Sequence, residues 1–192
     1  MLARIDRYAD RLTFVKASGS QTSMEQIRLL ARRLMAAGRR TLLVVDYLQK
    51  IPVEMGTAVP ESEVTTYLAQ GLKELAMSGG LRILAVAAAD RAGLQSRRMR
   101  LHDMRGSSAI QYEADIGAVL NNKYQIVSRE QIVYNPVQAQ AMRNKVVMSI
   151  EKNRSGRNSV DLEFQLDAAH FYLDTRGDYV RDRLIDDRVT LE

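Results

Sequence analysis

The chain has 192 residues, no cysteine, two histidines and a formal charge of +5. This length suits one domain with a sizeable core. The absence of cysteine excludes disulfides, thiolate zinc sites and cysteine nucleophiles, and it fits a cytoplasmic protein. No apolar run approaches the ~20 residues that span a bilayer, so we expect a soluble protein with no membrane partner.

The N-terminal part of the chain shows helical periodicity and then a short apolar run. Apolar residues at helical spacing predict a helix over residues 2–12, and Leu12–Val15 predicts a short strand. Thr22 and Glu25 form a capping-box pattern that opens a second helix, which Gly38 ends.

The rest of the chain predicts an α/β fold. Buried strands are predicted at Thr41–Val45 and Ile83–Ala87, separated by a helix that ends at Gly79 and Gly80. Strand-like segments without long helices follow at Ile116–Leu120, Lys145–Ile150, Val160–Leu166 and His170–Leu173. We therefore predict a mostly parallel sheet with an antiparallel C-terminal edge in a domain of residues 1–175, followed by a charged tail of residues 176–192.

The run from Thr41 to Val45 ends on Asp46 and is followed by Tyr-Leu-Gln49. Open α/β sheets bind ligands at the carboxyl ends of their strands. A carboxylate at that edge can hold the Mg²⁺ that bridges nucleotide phosphates, usually through water. The alternative is an acidic residue that only closes a core strand, and this short pattern alone does not decide between the two.

Lys152, Asn153 and Arg154 form a basic turn between two predicted strands. The planar, delocalised guanidinium of an arginine can stabilise the charge on phosphoryl oxygens. Asn-Arg-Ser-Gly-Arg is also ordinary turn chemistry, so a hairpin turn without function is the alternative.

The segment from Asp90 to Ser108 carries five arginines and two aspartates. Such a surplus of positive charge binds a phosphate backbone without reading the base sequence. No aromatic residue lies between Arg91 and Gln111, so the segment offers no surface on which bases could stack. A solvated arginine-rich loop is the alternative.

Several segments match one family in order and spacing between about Leu12 and Leu173. They are Thr22–Leu34, Val44–Gln49, Ile83–Arg91, Asp103–Ile110 with Glu113-Ala-Asp115, and Glu151–Gly156. Together they resemble the second half of the RecA-like motor domain of DnaB-type replicative DNA helicases. RadA-like and KaiC-like ATPases share this architecture and similar Lys-Asn-Arg segments, but Asp-Tyr-Leu-Gln favours the helicase.

The resemblance implies a hexameric enzyme that uses Mg-ATP to translocate on single-stranded DNA and to unwind duplex DNA in replication. It implies that Asp46 binds magnesium and that Gln49 helps to bind the nucleotide. Lys152 and Arg154 would act in trans, on the γ-phosphate held by the neighbouring subunit. It implies that Arg105, Gly106, Ser107 and Ser108 follow the DNA backbone. The surplus of positive charge in this segment predicts Arg97 and Arg98 as further DNA-binding residues. A helicase loader or a primase would be a further partner.

The sequence also departs from the family pattern. It contains no Gly-x-x-x-x-Gly-Lys-Ser/Thr motif, and the family's phosphate-binding loop and catalytic glutamate lie upstream of the matched part. Ala88 stands where the family has a glutamine that senses nucleotide, and Gly106 replaces an acidic residue. We therefore expect the isolated chain to be inactive as an ATPase.

Two other functions are compatible with these departures. The chain could be a non-catalytic RecA-like scaffold or regulatory module that binds a partner ATPase or nucleic acid. It could also be a fragment of a KaiC-like or RadA-like ATPase that works in signalling or recombination.

Overall fold

The computed structural model describes residues 9–16, 18, 22–36, 38, 40–54, 59–106, 108–127, 132–133 and 136–185. The predicted N-terminal helix lies mostly outside these residues, and Ala9–Arg11 form a 3₁₀ turn. The strand predicted at Leu12–Val15 is wrong, because the segment pairs with no strand of the described chain and Phe14 is 89% exposed. A strand forms only where a neighbour satisfies its main-chain N–H and C=O groups.

Helix α1 (Met24–Ala36) begins one residue later than the capping box predicts. The hydroxyl of Ser23 accepts a hydrogen bond from the Gln26 N–H at 3.4 Å, as an N-cap residue does. The hydroxyl of Thr22 instead donates to the carbonyl of Ser18 at 2.8 Å. Thr22 is therefore occupied by the preceding loop and does not cap the helix.

Strands β1 (Leu42–Val45) and β2 (Arg82–Ala85) pair in parallel, with Leu42 opposite Arg82. The crossover between them is helix α2 (Glu61–Gly79), which ends at Gly80 with a φ of +61°, so the predicted glycine stop is confirmed. The main core lies between α1, α2 and one face of this pair. Its buried members are Met24, Val45, Leu48, Ile51, Leu68 and Leu72.

The other face of the β1–β2 pair is exposed, which corrects the prediction of two fully buried strands. Leu42, Val44, Leu84 and Val86 are 46–58% exposed on it. The continuous apolar runs predicted cover on both faces. In the described part of the chain α1 and α2 pack on one face only.

The second half of the chain forms an antiparallel sheet with short helices. In chain order its elements are α3 (Arg91–Gln95), α4 (Ala109–Glu113), β3 (Ile116–Asn122), α5 (Lys123–Ile126), α6 (Pro136–Met142), β4 (Lys145–Asn153), β5 (Val160–Asp167), β6 (Tyr172–Leu173) and β7 (Asp178–Tyr179). The strand order is β3-β4-β5-β6, and β7 also pairs with β5. The predicted α/β class, with parallel strands and an antiparallel C-terminal edge, is confirmed. Within the described residues, the parallel sheet has two strands and the antiparallel sheet has five.

The C-terminal segment, residues 176–185, lies against this sheet. Besides the pairing of β7 with β5, the Ile185 N–H donates to the Ile126 carbonyl at 2.7 Å, and Lys123 forms an ion pair with Asp182. A domain boundary at residue 175 stays a prediction. Within the described ranges, no helix combines the length and the hydrophobicity needed to cross a membrane.

Candidate nucleotide and nucleic-acid site

Asp46 follows β1 directly and therefore lies at the carboxyl end of the parallel pair. It is exposed, and no described residue forms a hydrogen bond or an ion pair with its carboxylate. An accessible carboxylate at this edge fits a magnesium ion bound through water. The described residues contain no group of three or more acidic or histidine side chains that could hold a metal, so Asp46 would need ligands from the nucleotide and from water.

Gln49 lies in the 3₁₀ turn Leu48–Lys50, three residues after Asp46. Its Oε1 accepts a hydrogen bond from the Ala88 N–H at 3.1 Å. Its Nε2 donates to the carbonyls of Ala88 at 3.3 Å and of Arg105 at 3.0 Å. The carboxamide therefore bonds within the protein here, and its role in binding nucleotide stays a prediction.

Lys152 and Arg154 lie together at the end of β4. Because the strand extends to Asn153, Lys152 is a strand residue opposite Gly117, and only Arg154 belongs to the turn. This corrects the prediction of a three-residue turn. Antiparallel pairing with β3 holds the backbone as far as Asn153, so the position of Lys152 is fixed by the sheet.

The carbonyl end of α4 binds both cations, and Asp115 also binds Arg154. Lys152 Nζ donates to the carbonyl of Gln111 and, at 3.1 Å, to that of Tyr112. Arg154 donates from Nη2 to the Tyr112 carbonyl at 2.6 Å and from Nη1 to Asp115 Oδ1 at 3.2 Å. The last carbonyls of a helix lack partners within the helix and attract cations, which explains this arrangement.

Lys73 on α2 completes the cluster, since its Nζ lies 2.7 Å from both carboxylate oxygens of Asp115. The hydrogen bonds from Lys73 lower the pKa of Asp115, and the charges of Lys73 and Arg154 act in the same direction. Burial, and then the charge of Arg154, lower the pKa of Lys152. Lys73 precedes Asp115 by 42 positions and belongs to no sequence motif, so its role emerges only from the fold.

The DNA-facing loop predicted at Arg105–Ser108 begins next to α2. The guanidinium of Arg105 forms an ion pair with Glu61, with Nε 2.7 Å from Oε1 and Nη2 3.0 Å from Oε2. Gly106 has a φ of +106°, and a Cβ there would lie 2.2 Å from Oγ1 of the buried Thr65. Ser108 is exposed just before α4, whereas Ser107 lies outside the described residues.

Arg97 and Arg98 differ although they are neighbours in sequence. Arg97 is exposed, as a DNA-contacting residue must be. Arg98 is 5% exposed, and its Nη2 donates to Asp161 at 2.7 Å and to Ser149 at 3.1 Å. The prediction that Arg98 faces DNA is therefore corrected, because its charge is paired inside the protein.

The fold resembles that of a known helicase. It is similar to a solved structure of a DnaB-like replicative helicase that was described with its interactions with primase, with 19% sequence identity and a TM-score of 0.67. The match covers 85% of this chain but only 37% of the helicase chain. At this identity the similarity shows the fold, that of a DnaB-like helicase motor domain.

The model of the family described as DnaB-like helicase C terminal domain matches residues 2–172. The chain therefore belongs to this family, and the resemblance found in the sequence is confirmed. A comparison with curated proteins finds no match.

Proposed function

We propose that this chain is the part of a hexameric, ATP-driven replicative DNA helicase that supplies the magnesium carboxylate, the trans-acting cations and a grip on single-stranded DNA. The observation that carries the proposal is the pair Lys152 and Arg154, held side by side at the end of β4 in a chain of this helicase family. Two adjacent cations, one of them 51% exposed, suit contact with a phosphate on a neighbouring subunit.

Asp46 would hold the magnesium of Mg-ATP, which neutralises phosphate charge during phosphoryl transfer. Arg154 would leave Asp115 and turn its guanidinium to the neighbour's γ-phosphate, while Lys152 keeps its place in the sheet. An arginine acting in this way contributes about 10³ to 10⁵ in rate in phosphoryl-transfer enzymes. Asp115, which Lys73 binds, would hold the guanidinium of Arg154 in position while no γ-phosphate of a neighbouring subunit contacts it.

The DNA would be bound through its backbone by the loop that begins at Arg105, with Arg97 as a further cation. Gly106, Ser107 and Ser108 are small residues, and small residues let main-chain N–H groups approach phosphate closely. One subunit offers few such contacts, and a closed ring multiplies them at a high effective concentration. Primase and a helicase loader are proposed partners of the complete ring.

The test uses a protein that carries this chain together with a phosphate-binding loop. Arg154→Ala and Asp46→Asn should each abolish ATP hydrolysis, and Arg154→Ala should leave nucleotide affinity unchanged, because the arginine acts on the transition state. When the two variants are mixed, about a quarter of head-to-tail interfaces combine one intact half from each, so about a quarter of the turnover should return.

Arg157→Ala is the matched control, because Arg157 is an exposed arginine of the same turn. It should keep full activity. If the mixed variants recover no activity although subunit exchange is demonstrated, Arg154 does not act across a subunit boundary.

A further inference from the structure

The β1–β2 ladder continues beyond the two strands and then loses its main-chain partner. The Val86 N–H donates to the Val45 carbonyl at 2.9 Å, and the Leu48 N–H donates to the Val86 carbonyl at 2.8 Å. The 3₁₀ turn Leu48–Lys50 then takes the first chain away from the second. At the next position of the ladder, no main-chain group of the described residues pairs with Ala88 on this side.

The side chain of Gln49 occupies that position. Its carboxamide accepts from the N–H and donates to the carbonyl of Ala88, so it satisfies both main-chain groups of one residue as a neighbouring strand would. A carboxamide has an acceptor and two donors, which is what this contact requires. The Gln49 side chain therefore extends the ladder past the point where the backbone turns away.

The same carboxamide also reaches the predicted DNA loop. Its Nε2 donates to the Arg105 carbonyl, and the Arg105 N–H donates to the Ala88 carbonyl at 2.9 Å. The Arg105 carbonyl belongs to the peptide that leads into Gly106, whose backbone lies against Thr65. Gln49, Ala88 and Arg105 thus form a closed set of hydrogen bonds at the start of this loop.

We propose that Gln49 is a positioning residue, which fixes the start of the Arg105–Ser108 loop against the carboxyl ends of β1 and β2. Through it, the segment from Asp46 to Lys50 and the predicted DNA loop form one unit. The effect on DNA rests on the proposed function, whereas the positioning of the loop does not.

The first experiment measures amide hydrogen exchange in this chain by nuclear magnetic resonance. Gln49→Leu keeps the size of the side chain and removes all three hydrogen bonds. Exchange at the Ala88 and Arg105 amides should become at least about tenfold faster, while β4 amides such as Val147 keep their protection. Gln95→Leu, at an exposed glutamine that ends α3, should change neither.

Unchanged protection at Arg105 in Gln49→Leu would overturn the proposal. An equal loss of protection at Arg105 and in β4 would also overturn it, because the residue would then serve general stability.

Gln49→Glu distinguishes hydrogen bonding from simple side-chain packing, because only hydrogen bonding makes the effect of this substitution depend on pH. At neutral pH its carboxylate would face the carbonyl oxygens of Ala88 and Arg105 and repel them. Once protonated, the carboxyl group regains one donor, so the amide shifts of Ala88 and Arg105 should return toward those of the wild type as the pH falls. Gln49→Leu should show no such return, and its absence in Gln49→Glu would count against hydrogen bonding as the cause.

The second experiment measures the affinity of each variant for a fluorescent oligothymidine at low salt. Gln49→Leu should bind several-fold more weakly than the wild type at a temperature at which both proteins remain folded. If the wild type binds and Gln49→Leu binds equally well, the link from Gln49 to DNA is wrong. If exchange changes as expected and the wild type binds no DNA, the positioning role stands and the DNA role of the loop falls.

Discussion

Position 106 requires glycine for two reasons, which are its backbone conformation and its contact with Thr65. Its φ of +106° is rarely adopted by residues with a side chain, and a Cβ would meet a buried hydroxyl at 2.2 Å. The family's acidic residue at this position would not fit here without a shift of α2 or of the loop. Any side chain at position 106 would therefore disturb the close approach of the loop and α2.

Gly106→Ala should destabilise the chain by roughly 2–4 kcal/mol, since backbone strain and the collision with Thr65 add. Gly80→Ala is the control, because Gly80 also has a positive φ but no atom within 4 Å of its missing Cβ. It should cost only about 1 kcal/mol. Urea unfolding of both variants gives the comparison, and equal losses would show that the contact with Thr65 does not matter.

Arg98 shows why residue roles are harder to predict than motifs. Neither its type nor its immediate neighbours distinguish it from Arg97. Its partners Ser149, Asp161 and Ile185 follow it by 51, 63 and 87 positions, so only the tertiary fold brings them together. The same holds for Asp115, whose partner Lys73 lies on α2.

Among the elements, those with a strong repeating pattern were predicted and those that depend on neighbours were not. Helices α1 and α2 and the strands β1 to β5 follow from periodicity and apolar runs. Leu12–Val15 has the composition of a strand but lacks a partner in the described chain. The sequence also does not predict the exposed face of β1 and β2. A continuous apolar run indicates that a strand needs burial on both faces, but it does not show whether other elements pack on both.

The C-terminal segment is held to the sheet by a buried ion cluster. Lys123 is 2% exposed and forms ion pairs with Glu163 and Asp182, and Lys145 lies 2.5 Å from Glu163. Burial alone would lower the pKa of Lys123, but hydrogen bonds to Asp182 and Glu163 outweigh it and raise the pKa. Burial would likewise raise the pKa of Glu163, but hydrogen bonds from Lys123 and Lys145 outweigh it and lower the pKa.

These shifts predict the pH range in which residues 180–185 stay attached. Because the pKa of Glu163 is lowered, its carboxylate stabilises the folded state at pH values above the ordinary pKa of a glutamate. This stabilisation is lost as the pH falls through the pKa of Glu163 in the folded state. Because the pKa of Lys123 is raised, its ammonium group stabilises the folded state at pH values below the ordinary pKa of a lysine. This stabilisation is lost as the pH rises through the pKa of Lys123 in the folded state. Attachment should therefore be strongest between about pH 5 and pH 10.

Exchange of the Ile185 amide, which donates to Ile126, measures this attachment. Lys123→Ala should abolish its protection, because two carboxylates would lose their buried partner. Arg176→Ala, at an exposed pair with Asp174, should leave it intact. Protection of Ile185 that persists in Lys123→Ala would show that the ion cluster does not hold the segment.

For the whole molecule, we expect a low affinity for nucleotide. The chain spans just over a third of the helicase chain that it matches in structure, and its sequence contains no phosphate-binding loop. Without main-chain donors and a lysine around the phosphates, Asp46 alone offers little affinity. We expect no tight binding and no hydrolysis of Mg-ATP by the isolated chain. Calorimetric micromolar affinity, or turnover that Asp46→Asn abolishes, would reveal a phosphate site elsewhere in these residues.

The proposed interaction with DNA depends on the balance of charge around one loop. Glu61 occupies the guanidinium of Arg105 and competes with any phosphate. Removing the arginine and removing its carboxylate partner should therefore have opposite effects on DNA binding. Arg97, which is exposed, should act as an independent second contact.

A titration of labelled oligothymidine with the chain at several salt concentrations tests directly whether the Arg105–Ser108 loop binds DNA. Affinity should fall with salt by a slope of ~0.7 for each phosphate contacted, and Arg97→Ala and Arg105→Ala should each flatten the slope by about one contact. Glu61→Gln should strengthen binding, and Arg181→Ala, at an exposed arginine near β7, should leave it unchanged. Affinity that survives high salt, or that is unaltered when Arg97→Ala and Arg105→Ala are combined, would contradict a role for this loop in binding the DNA backbone.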